Sequence, residues 1–153
     1  MNSPQTQIAE KLKLAIENVT IANGYSRDVK TVAFDKVRLN IADYQDYELP
    51  AVQLIDLSSN INHQLSRSLT NWFIAIEICL RTTTSGIVDQ KALWDLQTDI
   101  IRAIMIDPKL SLNFVTHVVI IDKTTDLHLQ EPNYIGTIGI EIQFYEPITR
   151  NDC

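Results

Sequence analysis

The chain predicts an α+β fold: a mixed, mainly antiparallel sheet with two amphipathic helices packed on one face. Three observations lead there. The run Trp72 to Leu80, WFIAIEICL, is a strand near the middle of the chain. Apolar residues recur at three- and four-residue spacing in one stretch before it and another after it, as helices require. Near the end, Ile138, Ile140, Ile142 and Phe144 alternate with Gly139, Glu141, Gln143 and Tyr145, which suits a sheet with one covered face better than a doubly wound parallel one.

The first helix starts near Ser3 or Pro4. Ser3 can cap it, and proline at the first helical position lacks only an N–H that would be unpaired anyway. Ile8, Leu12, Ala15, Ile16 and Val19 make its apolar stripe, and Asn23-Gly24 closes it, because glycine tolerates the left-handed conformation beyond a helix end. A short strand follows near Val29 to Phe34. Asp35 to Leu49 reads as a long loop with an irregular edge strand.

Leu49-Pro50 leads into the buried strand AVQLIDL, proline suiting the first residue of a strand. The polar segment from Ser58 to Leu69 is either a surface loop or an extension of its two flanking strands into a hairpin that projects beyond the core. In the central strand Trp72, Ile74, Ile76, Ile78 and Leu80 share one face. Phe73, Ala75, Glu77 and Cys79 share the other, which is only partly polar and suits cover by a neighbour.

After the break Thr82 to Gly86, a second helix spans about Ile87 to Ile106. Leu93, Leu96, Ile100, Ala103 and Ile104 are its buried stripe, and Lys91, Asp95, Asp99 and Arg102 its solvent side. Asp107-Pro108 ends it. The last strands are Val115 to Ile121 and Ile135 to Tyr145, joined by a polar connection with Lys123, Asp126, His128, Glu131 and Pro132. Gly136 and Gly139 in the final strand point to close packing or a bulge.

The 153 residues fit one domain, long enough to bury about 70% of the surface of the unfolded chain. Thirteen Lys and Arg against nineteen Asp and Glu leave a formal charge of -6, which argues against a nucleic-acid backbone as main partner. Cys79 and Cys153 are the only cysteines and read as reduced thiols. No apolar run approaches the roughly 20 residues of a bilayer span, and no export signal opens the chain.

The chemical repertoire is thin. His63, His117 and His128 lie far apart without metal-ligand spacing. Nucleophile-elbow, phosphate-loop and dinucleotide patterns are missing. Asp43, Asp46 and Glu48 cluster in one loop and Asp122, Asp126 and Glu131 in another; both clusters read as solvated or as facing basic patches on a partner. Asp56 reads as a strand-end cap. The aromatic residues of the strands lie beside Glu77 and Glu141, so they read as packing surfaces and not as a platform for bases.

An ordered pattern across nearly the whole chain resembles the tail terminator, or tail-completion, proteins of tailed bacteriophages, with relatives in phage-like contractile particles. It comprises the opening helix ending in Asn23-Gly24-Tyr25, the run Leu49-Pro50-Ala51-Val52-Gln53-Leu54, the strand ending Ile78-Cys79-Leu80-Arg81, the helix with Ala92-Leu93-Trp94-Asp95-Leu96, and the final Phe144-Tyr145. That resemblance implies a structural virion subunit that forms a ring, typically a hexamer, on the head-proximal end of the tail tube. Such a ring stops tube polymerisation and offers the head-tail joining surface. Its implied partners are further copies of itself, the tube protein, a connector or neck protein, and the sheath protein in contractile particles. Genomic DNA passes its lumen without sequence-specific binding, and like charge on an acidic lining would discourage sticking. The implied location is the virion, with host cytoplasm during assembly. No catalysis, cofactor, metal or membrane is implied.

On that reading the expected contact residues are Arg67 and Arg81 as ionic partners across subunits, and Asp43, Asp46 and Glu48 as the opposing or tube-facing acidic surface. Tyr44 and Tyr47 are the expected anchors, tyrosine and arginine being enriched at interface hot spots. Competing readings are a neck or head-completion protein at the connector, a metal-dependent enzyme built on the carboxylates, and a non-viral binding module.

Overall fold

Ser3 opens the first helix as expected: its hydroxyl accepts the Thr6 amide at 3.2 Å, with Pro4 in the first turn. The computed structural model describes residues 3–34, 40–64, 67–81, 90–126 and 132–147. Helix α1 spans Pro4–Glu17 and buries Ile8, Leu12 and Ile16. It ends at Asn18, earlier than the spacing of Val19 suggested. Gly24, at φ 90°, instead caps a separate 3-10 turn at Ile21–Asn23. Side chains explain the break: Thr20 accepts the Asn23 amide and Asp28 accepts the Ile21 amide at 2.7 Å, in competition with helical bonding.

Strand β1, Thr31–Phe34, is shorter than expected and runs parallel to the start of β2, Ala51–His63. Asp46–Glu48 and Ile41–Asp43 are 3-10 turns, so no irregular strand occurs between 40 and 49, while 35–39 lie outside the described residues. The peptide bond between Leu49 and Pro50 is cis.

Of the two readings of the polar segment, the hairpin is the one found. β2 pairs antiparallel with β3, Arg67–Arg81, from Ala51↔Cys79 out to His63↔Ser68. Ser58, Asn60 and Asn62 have poor strand propensity. They are extended because β3 is itself held along its whole length by β5, Asn133–Pro147, which offers a preformed edge. β4, Val115–Thr125, pairs with the other side of β5. Both final strands are longer than expected, and Lys123 joins β4. His128 and Glu131 of the connection lie outside the described residues.

The sheet order is β1-β2-β3-β5-β4, with only β1 and β2 parallel. This is the mixed, mainly antiparallel sheet that the alternation predicted. Helix α2, Gln90–Met105, lies with α1 on one face and buries the predicted Leu93, Leu96, Ile100, Ala103 and Ile104. They meet Ile74, Ile76, Ile78, Ile138, Ile140 and Ile142, all fully buried. Residues 87–89 lie outside the described residues.

Asp99 corrects its assignment to the solvent side. It is buried and accepts both the amide and the hydroxyl of Ser26, so the loop after α1 supplies the partners that its burial requires. A small second core behind the sheet joins Ile41, Tyr44 and Leu49 to Ala51, Cys79 and Ile135. Gly136 makes the close approach expected of it, since a Cβ there would stand 2.6 Å from Gln97 Nε2 of α2.

Candidate interaction surfaces

Arg81 ends β3 and holds the 40–49 loop in place. Its Nη1 donates to Asp46 Oδ1 at 2.7 Å, its Nη2 to the carbonyls of Ala42 at 2.6 Å and Tyr44 at 2.8 Å, and its Nε to Asn133 Oδ1 at 2.8 Å. The planar fork suits this, because its donors point in several fixed directions at once. Arg81 is thus engaged within its own chain, at the position where the sequence suggested an ionic partner across subunits.

Tyr44 is likewise engaged within its own chain. It is 4% exposed, and its hydroxyl donates to the buried Gln53 Oε1 at 3.1 Å, so it anchors the loop to the sheet instead of reaching a partner. What this pinning leaves outside is Tyr47, 79% exposed, with Asp43 and the largely exposed carboxylate of Asp46 beside it in the loop. Glu48 is half-buried, and its carbonyl accepts the Thr31 hydroxyl at 2.7 Å.

Cys79 lies under this loop. Burial pushes its thiol up from the ordinary 9.0 to about 12, against the opposing pull of the Arg81 charge.

Arg67 stands at the other end of β3. Its guanidinium lies 3.7 Å over the Tyr145 ring, a cation–π stack at the hairpin tip, where the Gln64 amide also donates to the Arg67 carbonyl. Arg67 and Arg81 stand at the two ends of the fifteen-residue β3, about 45 Å apart at the usual rise. Within one chain the fold therefore keeps Arg67 and the acidic loop apart.

The second acidic group is divided. Asp122 accepts the Gly139 amide at 3.1 Å, Asp126 follows the end of β4, and Glu131 lies outside the described residues. Among the described residues, no three His, Cys, Asp or Glu side chains come together as a metal site. No helix among them is long and apolar enough to cross a membrane.

A groove escaped the sequence reading. Thr6, Ala9 and Lys13 of α1, with Phe34, Asp56 and Trp72, line a cleft of about 580 Å³ where β1 stops and β2 continues. Asp56 is no strand-end cap: it accepts the Trp72 indole N–H at 2.8 Å in mid-hairpin. The two residues are sixteen apart in sequence, and only the register of β2 on β3 brings them together. No family model matches the chain, and no curated protein sequence matches it.

Proposed function

We propose that the protein is a non-enzymatic assembly subunit of a phage tail, which caps the head-proximal end of the tube as a ring and offers the surface that joins tail to head. The observation that carries this reading is the long central strand with a stiffened polar surface at each end. One end holds the Arg81-pinned loop with Tyr47, and the other the Arg67–Tyr145 stack. A joining piece needs two different partners on opposite sides, and preorganised contacts lower the entropy lost on meeting each of them. An exposed tyrosine on a fixed loop suits a hot spot, since it offers a large apolar body and a hydroxyl with few rotatable bonds. The resemblance to tail terminators supplies the partners: tube protein on one side, connector or neck protein on the other, further copies in between.

Electron cryomicroscopy of the purified protein incubated with tail tubes from the same genetic source tests this. Density for a ring on the head-proximal tube end is the expected outcome, and Tyr47→Ala should reduce the fraction of capped tubes at least several-fold without altering the fold. Bare tubes with the protein bound to head connectors would turn the reading to a neck protein. Absence from both would end the virion reading.

A further inference from the structure

The two outer edges of the sheet match each other. β1 covers β2 only from Ala51 to Leu54, so among the described residues Ile55 to His63 have no strand on their outer side. β4 is the outer strand at the opposite edge. Across the sheet, Ile55 stands level with Ala75, Gly139 and Asp122, and Ile61 with Thr70, Phe144 and Val115. The open stretch of β2 thus lies at the same height along the strands as Val115 to Asp122 of β4.

Direction matches as well. Each of the three steps from β2 through β3 and β5 to β4 is antiparallel, so β2 and β4 run in opposite senses. A copy displaced sideways, with its strands kept in the same orientation, brings Val115 to Asp122 of its β4 level with the open β2 as an antiparallel pair, while its Lys123 to Thr125 fall level with Phe34 to Val32 of β1 and must splay away from them.

Side chains mark the same two edges. Leu57 and Ile61 of β2 and Val119 and Ile121 of β4 are the large apolar residues on described strands that are exposed to solvent; β3 and β5 have none. β2 has one bulge, at Leu57, and β4 has two, at Thr116 and Ile121; those of Leu57 and Ile121 stand about one residue apart in height. Proteins commonly blunt such edges against pairing with bulges or charge; here Leu57 and Ile121 are apolar and exposed.

We propose that residues 55–61 of β2 in one copy pair antiparallel with residues 115–122 of β4 in the next, so that the sheet continues from copy to copy. Regular backbone pairing centres on His117 to Val119 against Ser58 to Asn60, flanked by Ile61 on the helix face of the sheet and by Val119 on the opposite face. The contact is heterologous, using two different surfaces of each copy, and closes into a ring when the rotation per copy permits. It rests on the ring reading above for that closure.

Hydrogen exchange on the assembled wild-type protein, with Leu57→Lys and Val119→Lys variants in light scattering, tests it. Amides in 55–61 and 115–122 should slow at least tenfold on assembly. Each variant alone should be monomeric, because one edge of every copy is blocked. An equimolar mixture should form one-to-one dimers and nothing larger, since the intact β4 of Leu57→Lys meets the intact β2 of Val119→Lys. A wild-type ring that caps tubes while both segments exchange freely, or while both variants assemble normally, overturns the edge pairing and leaves the capping role intact. Wild-type protein that stays monomeric both in concentrated solution and with tail tubes overturns both.

Discussion

Arg81 shows how one side chain can fix a surface that it does not itself present. It supports the 40–49 loop by two carbonyl bonds and one carboxylate bond, with a fourth bond to Asn133 holding the guanidinium flat. Arg81→Ala should lower stability by about 2–3 kcal/mol in urea unfolding, because hydrogen bonds to a charged group are lost from a partly buried site. Arg81→Lys should recover less than half of that, since an ammonium cannot replace the fork. Asp46→Asn should cost below about 1 kcal/mol, as that carboxylate is largely exposed and screened. The residues named from sequence at this site were Arg81, Asp43, Tyr44, Asp46, Tyr47 and Glu48. The proximity of the five loop residues was legible, but the approach of Arg81 to them and which tyrosine turned inward were not. Tyr44 finds Gln53 and Tyr47 finds none of the sheet, a difference set by the turn geometry and by the position of β2.

Among the elements, those with a periodic apolar face were readable and those held only by a neighbour were not. All five residues expected in the stripe of α2 are buried, and Ala92, Gln97 and Asp99 join them unforeseen, Asp99 because Ser26 reaches it. The hairpin extension carries no apolar alternation, so only its pairing with β3 reveals it. Contact between α2 and the sheet also depends on a missing side chain. At Gly136 an added Cβ would lie 2.6 Å from Gln97 Nε2 and 3.2 Å from Leu93 Cδ1, and Gln97 is fully buried with its Nε2 donating to the Thr124 carbonyl. Gly136→Ala should therefore destabilise by about 1–3 kcal/mol, the usual range for overpacking. Gly139→Ala, whose Cβ would meet the exposed Asp122 carboxylate, should cost less, because that side chain can swing into solvent. Chemical denaturation of the pair gives the comparison.

At the scale of the whole molecule, stability should carry an alkaline limit through Cys79. Its folded-state thiol holds its proton to about pH 12, whereas an exposed thiol releases it near 9.0. Between those values the unfolded chain binds fewer protons than the folded one, so the contribution is fully present below about pH 9 and is lost as pH rises towards 12. A Cys79→Ala variant should show a shallower decline of unfolding free energy over that window. In a Cys153→Ser background, native protein at pH 8 should react with a thiol reagent only at its unfolding rate. The same scale decides how the molecule can meet its surroundings. The 15-residue β3 separates the two polar end surfaces, while β2 and β4 form the lateral edges.

The sequence by itself determined the α+β class, the two helix stripes, the central and final strands and the acidic loop, because burial on one face writes a period of 3.6 or 2 into the order of residues. Tertiary structure decided the hairpin arm, the Arg81 hub, the inward turn of Tyr44, the Asp56–Trp72 bond and the level match of the two sheet edges. Each of these depends on which strand lies beside which and in what register, and that choice is made by contacts between residues far apart in the chain.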